Sequence, residues 1–315
     1  MSAHFDGWPN VVRSQQFSRK WIEEELFPLA REMKEVFRCR GNNVLGGKRM
    51  VALFYQPSTR TRGSFQMAMS YLGGEVAFAT ENAAKFSSAE KGESLEHTIK
   101  VWCRYRPDVI VLRHDKEGAA ELAAKVSSVP IINAGDGAGQ HPTQGLLDIF
   151  TIQEKLGRID DISITINGDL INNRAARSLA YLLSKFSGVR IYFVSPQPQK
   201  MRQDVLDHLR EKGTWFTESE SLQEALPLVD VAYMLRTQRE HGSNVYDLND
   251  NYVLDEKKAK SAKETAIFMH PLPIDSRVNE IRPEIESDKR AVFLADQIDS
   301  GLFVRMALLK MIMAP

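Results

Sequence analysis

The sequence predicts an α/β protein with two doubly wound domains, each with a central parallel sheet flanked by helices. Apolar runs of strand length alternate with helical patterns along most of the chain. Its 315 residues are more than one hydrophobic core usually serves. Repeated strand–helix–strand order favours parallel strands that are covered by helices on both faces.

The first half of the chain contains three predicted strands, at residues 50–55 (MVALFY), 108–112 (DVIVL) and 129–133. A helix follows the first strand, with Phe65, Met69 and Leu72 at helical spacing, and Gly73-Gly74 ends it. Further helices are predicted from Leu95 and at residues 117–126 and 143–155.

The second half repeats this alternation. Strands are predicted at residues 162–167, 189–194, 229–234 and 265–269, and helices at 174–186, 202–211 and 302–312. In such sheets ligands bind where loops leave the carboxyl ends of the strands, so the residues after each strand are the candidate site.

Composition narrows the classes of function. Lys and Arg together number 41 and Asp and Glu together number 41, and this balance argues against a nucleic-acid or membrane-surface protein. The amino-terminal segment lacks the pattern of a signal peptide, and no apolar stretch is long enough to span a bilayer. We therefore expect a cytoplasmic protein.

The two cysteines, Cys39 and Cys103, are expected to be buried or half-buried thiols in a reducing compartment. Neither a disulfide nor a zinc site is expected of them.

The motif Ser58-Thr59-Arg60-Thr61-Arg62 lies between the first strand and its helix. Backbone N–H groups and hydroxyls at a helix amino terminus bind anions, and arginine forks suit phosphate. A simple Ser/Thr helix cap followed by solvated arginines is the alternative. Three hydroxyls interleaved with two arginines favour phosphate binding over capping alone.

Two further motifs follow strands in the first half. Arg113-His114 ends the strand DVIVL, where a ligand-facing cation and an ordinary surface charge are about equally expected. His141-Pro142-Thr143-Gln144 follows a Gly-rich loop at a helix start, where a neutral imidazole could hydrogen-bond a polarised carbonyl oxygen. A histidine that caps its own helix is the alternative.

The remaining motifs lie in loops. Ser87-Ser88 and Lys91 belong to a polar loop that by itself indicates only a solvated segment. Arg174 and the run Arg236-Thr237-Gln238-Arg239 follow strands in the second half, and their natural ligand is a small molecule with carboxylates. His270-Pro271-Leu272-Pro273 is a rigid turn whose carbonyl groups can hold a donor-rich group such as an amine.

STRTR, HPTQ and HPLP, in this order and spacing, make the chain resemble the aspartate/ornithine carbamoyltransferase family from about Gly47 to Leu309. The resemblance implies that residues 1–140 form a carbamoyl-phosphate-binding domain and residues 141–299 an amino-acid-binding domain. Residues 300–315 would pack back onto the first domain, and the active site would lie between the domains. It also implies a homotrimer with shared active sites, and it leaves open a regulatory or accessory chain.

The resemblance also implies a role for each motif residue. Ser58, Thr59, Arg60 and Thr61 would hold the phosphate, and Arg113, His141 and Gln144 the carbamoyl group, whose NH₂ would donate to the carbonyls of Pro271 and Leu272. Arg174 would bind the α-carboxylate of aspartate, and Arg236 with Gln238 its β-carboxylate. Ser87 and Lys91 would reach the site of a neighbouring subunit, where Lys91 would also contact aspartate.

The implied reaction belongs to pyrimidine biosynthesis. The neutral α-amine of L-aspartate attacks the carbamoyl carbon and yields N-carbamoyl-L-aspartate and phosphate. Arg113, His141 and Thr61 would stabilise the oxyanion, and Arg60 and Lys91 the departing phosphate. This chemistry is expected to need neither a metal ion nor a cofactor.

Three alternatives remain at this stage. Another acceptor, such as ornithine or an acylated amino acid, is disfavoured by Arg236 and by Pro271, where the ornithine branch carries Cys. That alternative stays open because the chain departs from the family pattern at Gly63, Asn172-Asn173, Ile274 and Asp296. A catalytically silent partner chain conflicts with the full set of site residues. A Rossmann dehydrogenase lacks its GxGxxG motif here.

Overall fold

The computed structural model describes residues 10–238 and 249–314, which form two compact units. Unit 1 contains the chain up to Leu147 together with the residues from Ser300 onward, and unit 2 contains Asp148–Asp299. The chain therefore changes unit inside two long helices, rather than directly after residue 140.

Unit 1 contains four strands: β1 (Arg49–Phe54), β2 (Glu75–Thr80), β3 (Val109–His114) and β4 (Ile131–Asp136). Its helices are α1 (Arg19–Trp21), α2 (Phe27–Arg38), α3 (Thr59–Tyr71), α4 (Ala83–Phe86), α5 (Leu95–Arg104) and α6 (Ala119–Val126). Helix α7 (Pro142–Leu156) begins in this unit, and α12 (Asp296–Met313) ends in it.

The sheet of unit 1 is parallel, with the strand order β2-β1-β3-β4. The chain moves from β1 outward to β2 and then returns to the other side of β1, so the winding direction changes between β1 and β3. Ligands of open parallel sheets bind at this switch point, beside the carboxyl ends of the strands. The loops after β1 and β3 are therefore the first place to look for a site.

Unit 2 contains five strands: β5 (Ser163–Asn167), β6 (Arg190–Val194), β7 (Trp215–Ser219), β8 (Val231–Met234) and β9 (Ile267–Met269). Its helices are α8 (Arg174–Leu183), α9 (Gln203–Glu211), α10 (Leu222–Ala225) and α11 (Glu256–Ser261). This sheet is also parallel, with the order β7-β6-β5-β8-β9, so its switch point lies between β5 and β8.

Each sheet supplies the core of its own unit. Val51, Leu53, Ile110, Leu112 and Ile131 from the first sheet pack with Ile99 of α5 and Ala123 of α6. Met234 and Phe268 from the second sheet pack with Leu222, Leu254 and Phe293. Burial of these apolar strands is the main free-energy term that holds each sheet, and hence each set of loops, in place.

The prediction of two parallel-sheet α/β domains is confirmed, with local differences. β3 includes Arg113 and His114, which were expected to follow the strand. The edge strands β2 and β7 and the helix α2 were not predicted. Cys39 is exposed, contrary to the expectation of a buried or half-buried thiol, whereas Cys103 is half-buried. Within the described ranges, none of the helices has the length and apolarity that a membrane crossing requires.

Candidate active site

The STRTR segment forms the amino terminus of α3, directly after β1. Ser58 is the residue before the helix, and its side chain makes no capping bond to the described residues of α3. The first N–H groups of a helix have no carbonyl acceptor within it, so this end offers several backbone donors. Thr61 is buried, whereas Thr59 and Arg60 are exposed at the same helix end. This arrangement suits an anion.

Glu81, directly after β2, contacts this helix end and was not anticipated from the sequence. The Thr59 hydroxyl donates to Glu81 Oε1 at 2.9 Å, and Arg62 Nη2 donates to Glu81 Oε2 at 2.9 Å. The Thr59 hydroxyl proton is therefore directed to a carboxylate in this state, and Thr59 can offer an anion its backbone N–H. Arg62 neutralises Glu81 and is part of the support rather than of the anion contacts.

Arg113 lies next to this loop because the strand register brings it there. Phe54 pairs with Arg113 across β1 and β3, and Tyr55 N donates to Arg113 O at 2.8 Å. The guanidinium donates through Nη1 to the carbonyl of Ala134 in β4 at 3.1 Å. Arg113 is therefore a half-buried cation with one edge fixed by backbone, at the switch point of the sheet.

The Gly-rich loop after β4 is folded tightly against the loop after β3. Asp136 Oδ2 accepts from Gly118 N at 3.0 Å, and Asp136 Oδ1 accepts from Gln140 N at 2.8 Å. Gly137 has φ +50°, and a Cβ there would lie 2.7 Å from the carbonyl oxygen of Asp115. Only glycine fits this approach.

His141 and Gln144 follow that loop at the start of α7. Both are buried, and His141 O accepts from Gln144 N at 2.9 Å and from Gly145 N at 3.1 Å, so the histidine caps the helix through its backbone. Thr143 Oγ1 lies 3.4 Å from His141 Nδ1. The cap uses only the backbone of His141, so its imidazole and the Gln144 amide are buried polar groups at the start of α7, in the unit that holds Arg113.

Ser87 and Lys91 lie further from these loops along the chain, in the segment after β2. Ser87 Oγ donates to Ala83 O at 2.5 Å and accepts from Ala89 N at 3.1 Å, and both bonds are local. Lys91 ends a short 3₁₀ helix (Ser88–Lys91) and is exposed. The structure therefore gives both residues a local setting that does not itself join them to the STRTR loop.

In unit 2, Arg174 is the first residue of α8, after the loop that leaves β5. Asn173 caps the helix by accepting from Ala175 N at 3.0 Å and Ala176 N at 3.3 Å. Arg174 is 8% exposed, so the helix start fixes a buried cation next to the switch point. Asn173, an unusual residue for the family pattern, is thus explained by its cap.

Arg236 and Gln238 follow β8, across the switch point from Arg174. Arg236 Nη1 donates to Thr237 O at 3.0 Å, and Nη2 lies 3.5 Å from Gln238 Oε1. Both residues are half-buried. Arg239, the last residue of the predicted run, lies outside the described residues.

Asp169 joins the loops after β5 and β8 and was also missed by the sequence reading. It is fully buried and accepts from Gln238 N at 2.9 Å and from Asn172 N at 3.3 Å. Burial raises the pKa of Asp169, while those hydrogen bonds and the charge of Arg236 oppose the rise. The carboxylate therefore holds the Arg236–Gln238 segment against the loop of Arg174.

The turn His270-Pro271-Leu272-Pro273 follows β9 in the same sheet. Leu272 adopts φ +56°, a left-handed conformation that is uncommon for a residue with a side chain. Among the residues that the structure describes, no backbone N–H donates to the carbonyl of Pro271 or Leu272. The carbonyls of these two half-buried residues therefore accept no backbone hydrogen bond from the described residues.

The chemistry of the two units is complementary. Unit 1 carries a helix amino terminus, Arg113, His141 and Gln144 on segments that follow strands of its sheet or end them, which suits a phosphate and a polarised carbonyl. Unit 2 carries Arg174, Arg236 and a pair of carbonyl acceptors on loops that follow strands of its sheet, which suits carboxylates and an N–H donor. Over residues 10–238 and 249–314, no group of three His, Cys, Asp or Glu side chains could hold a metal ion.

Comparison with family models matches both parts of the chain. The model described as "Aspartate/ornithine carbamoyltransferase, carbamoyl-P binding domain" matches residues 10–154. The model described as "Aspartate/ornithine carbamoyltransferase, Asp/Orn binding domain" matches residues 160–312.

Individual proteins show the same likeness. The chain is 46% identical to a chloroplastic aspartate carbamoyltransferase of Arabidopsis thaliana, covering 96% of this chain and 77% of that protein. It is 43% identical to the aspartate carbamoyltransferase catalytic subunit of Thermococcus kodakarensis, covering 95% of each. Aspartate transcarbamoylase from Trypanosoma cruzi, solved with carbamoyl phosphate and aspartate, superposes with a TM-score of 0.87 at 37% identity, covering 95% of this chain and 94% of that one.

Proposed function

The chain belongs to the aspartate/ornithine carbamoyltransferase family, and from this premise we propose that it transfers the carbamoyl group of carbamoyl phosphate to the α-amine of L-aspartate. The products are N-carbamoyl-L-aspartate and phosphate. One observation carries the proposal: each parallel sheet has its switch point flanked by cationic motif residues, Arg113 in unit 1 and Arg174 and Arg236 in unit 2. The likeness to relatives named aspartate carbamoyltransferase supports the choice of aspartate.

The residues of unit 1 are proposed to bind carbamoyl phosphate. Ser58, Thr59, Arg60 and Thr61 hold the phosphate at the start of α3, where the helix dipole and the backbone donors favour an anion. Arg113 and His141 donate to the carbamoyl oxygen, and Gln144 completes this end. Thr59 contributes its backbone N–H while its hydroxyl remains on Glu81.

The residues of unit 2 are proposed to bind aspartate and the carbamoyl NH₂. Arg174 pairs with the α-carboxylate, and Arg236 with Gln238 binds the β-carboxylate. Asp169 supports this choice because it holds the Gln238 backbone and faces the charge of Arg236. The carbonyls of Pro271 and Leu272 accept from the carbamoyl NH₂. An ornithine ammonium would meet the cation of Arg236 instead of a carboxylate partner.

The proposed step needs no covalent enzyme intermediate. The neutral amine of aspartate attacks the carbamoyl carbon, a C–N bond forms, and the C–O bond to phosphate breaks. Charge that develops on the carbamoyl oxygen is stabilised by Arg113, His141 and Thr61, and Arg60 with Lys91 stabilises the departing phosphate. The amine proton that is released leaves with the phosphate or to solvent.

We further propose that the chain forms a homotrimer in which Ser87 and Lys91 enter a neighbouring active site. β2 is an edge strand of its sheet, and exposed apolar side chains occur on it and on the helices before and after it in the chain: Phe78 at 39% exposure, Met67 of α3 at 49% and Phe86 of α4 at 79%. Phe78 and Trp102 are in ring contact at 4.7 Å. Exposed apolar side chains of this kind are typical of a protein interface, and a second copy of this chain is the proposed occupant. A cytoplasmic location and a regulatory partner chain stay predictions.

Phosphate release from carbamoyl phosphate tests the proposed function. Purified protein is offered L-aspartate, L-ornithine or N-acetyl-L-ornithine in parallel reactions, and we expect turnover with aspartate alone. Turnover with one of the other acceptors would overturn the assignment of Arg236. Absence of turnover with all three would overturn the proposed activity.

The variant Arg236→Ala tests the acceptor site directly. It removes a charge-assisted contact to the β-carboxylate, so we expect kcat/KM for aspartate to fall by on the order of a hundredfold or more. Arg190→Ala is the matched control, because Arg190 is an exposed arginine at the amino end of β6 in the same sheet. The control is expected to keep wild-type kinetics.

A further inference from the structure

The turn at residues 270–273 is supported from behind by a chain of buried hydrogen bonds. His270 Nδ1 accepts from Leu272 N at 2.8 Å, and His270 Nε2 lies 3.0 Å from Glu280 Oε1. The side chains of His270 and Glu280 are both fully buried. Neither residue was assigned a role from the sequence beyond the membership of His270 in the HPLP motif.

These contacts determine the tautomer of His270. Leu272 N can only donate, so Nδ1 must be the acceptor nitrogen and carries no proton. The proton is then on Nε2, which donates to Glu280 Oε1. Glu280 also accepts from Asp275 N, at 3.1 Å through Oε1 and 3.2 Å through Oε2. One carboxylate therefore anchors both the imidazole and the backbone just beyond the turn.

The Leu272 N–H belongs to the same peptide group as the Pro271 carbonyl. This peptide bond is not among the cis bonds of the chain, so its N–H and C=O point in opposite directions within one plane. By holding the N–H, His270 also fixes the direction of the Pro271 carbonyl. Leu272 itself adopts φ +56°, and its carbonyl belongs to the next peptide group, directly after the one that His270 holds.

The backbone of His270 is held as well. His270 N donates to Gln297 Oε1 at 2.9 Å, and Gln297 Nε2 donates to Asp148 Oδ1 at 2.7 Å. The Tyr233 hydroxyl donates to Asp148 Oδ2 at 2.6 Å. His270 is therefore held at its backbone N–H by this buried network and at both ring nitrogens by Leu272 N and Glu280, so its ring has little freedom to turn.

We infer that His270 and Glu280 are positioning residues that aim the carbonyls of Pro271 and Leu272 at the carbamoyl NH₂. The inference rests on the proposed function for the identity of the group that donates to these carbonyls. Neither side chain touches the reacting atoms; each acts through the direction of a peptide group. A small rotation of that group would misdirect both acceptors, and misplacement by about 1 Å can cost on the order of a hundredfold in rate.

Two substitutions of His270 separate positioning from general structural support. His270→Asn places an amide oxygen near the position of Nδ1, so it keeps an acceptor for Leu272 N and loses the bond to Glu280. His270→Gln places an amide N–H near the position of Nε2, so it keeps the bond to Glu280 and loses the acceptor for Leu272 N. Each variant therefore breaks one of the two hydrogen bonds of the imidazole.

The two variants are expected to differ in opposite directions in stability and in activity. We expect H270N to lower the midpoint of urea unfolding yet keep kcat/KM for carbamoyl phosphate within about fivefold of wild type, since the carbonyl direction is retained. We expect H270Q to be nearer to wild type in stability, while its kcat/KM falls by on the order of a hundredfold. A purely structural role would make activity follow stability in both variants, and that outcome would overturn the inference.

Hydrogen exchange of the Leu272 amide is a readout that does not depend on turnover. Leu272 supplies the one backbone N–H between Pro271 and Pro273, so its exchange reports the bond to His270. Exchange should be slow in wild type and H270N and faster in H270Q; equal rates in all three would overturn the inference.

If H270N does not fold, the variant Glu280→Gln takes its place. This variant keeps an oxygen that can accept from Nε2–H, so it should also retain slow exchange. A wild-type protein without turnover would overturn the proposed function, while Leu272 exchange would still decide whether His270 holds the turn.

Discussion

At the scale of single residues, the motif side chains depend on partners that no motif reveals. Glu81 takes the hydroxyl of Thr59, and Asp169 takes the backbone of Gln238. Two glycines also differ sharply in the atoms that surround them. Gly168 has φ +126°, and a Cβ there would lie 2.4 Å from the carbonyl oxygen of Leu235, whereas Gly63, inside α3, would meet nothing within 4 Å.

We expect Gly168→Ala to destabilise the protein by about 2 kcal/mol or more, because the new methyl group combines a backbone clash with a strained φ. Gly63→Ala, the matched control, should stabilise by about 0.5–1 kcal/mol, since alanine is the better helix former. Urea unfolding of both variants measures the two effects. Equal free energies of unfolding would show that the loops after β5 and β8 can separate at little cost.

At the scale of elements, a segment that pairs alongside strand β9 extends the second sheet. One ion pair helps to hold this segment. Phe268 N donates to Arg290 O at 2.7 Å, and Val292 N donates to Phe268 O at 3.0 Å. Arg290 Nη2 pairs with Asp288 Oδ2 at 2.6 Å, and its guanidinium lies 4.7 Å from the centre of the Phe268 ring. Hydrogen bonds from Arg290 hold the pKa of Asp288 below its usual value, although partial burial opposes this. Asp288 therefore stabilises the edge of the sheet next to the candidate site.

This pair predicts a pH dependence of stability. The pKa of Asp288 is lower in the folded chain than in the unfolded chain, so its stabilisation is complete above the unfolded pKa of about 3.9. The stabilisation is lost as the pH falls through the folded value. Asp288→Asn should cost on the order of 1–2 kcal/mol at pH 7, and the difference from wild type should shrink below pH 4.

Urea unfolding at pH 7, 5 and 3 measures the gap between the Asp288→Asn variant and wild type. Asp207→Asn is the control: Asp207 is paired with Arg210 at 2.7 Å, but its side chain is 56% exposed. It should change the free energy of unfolding by less than about 1 kcal/mol at each pH. A gap for Asp288→Asn that stays constant from pH 7 to pH 3 would contradict the assigned role.

At the scale of the whole molecule, the two units share one arrangement of sheet and cationic loops. Each has a parallel sheet with one change of winding direction, and each places cations on the loops beside it. Unit 1 adds a helix amino terminus that suits phosphate, and unit 2 adds a turn with two available carbonyls. The proposed trimer would complete the phosphate end with Lys91 from a second chain.

Mixing two inactive variants tests that sharing. Arg60→Ala and Lys91→Ala chains are each expected to lose activity, because each removes one cation from every site. Mixed in equal amounts and reassembled at random, they should form intact sites in about a quarter of cases, because a site would combine Arg60 of one chain with Lys91 of its neighbour. Recovery of activity is measured after sedimentation has confirmed trimers; trimers without recovery would rule out sharing of Lys91.

The sequence by itself determined the fold class and most of the motif positions, because apolar strands that are buried on both faces leave a continuous signal. The edge strands β2 and β7 leave a weaker one, since none of their residues is buried. Only the tertiary structure decided which residues support the motifs: parallel strand order brings Glu81 and Asp169 to their partners, and the folded segment after the HPLP turn brings Glu280 back to His270. A hydrogen bond depends on distance in space, and in a parallel sheet that distance is set by crossovers rather than by sequence separation.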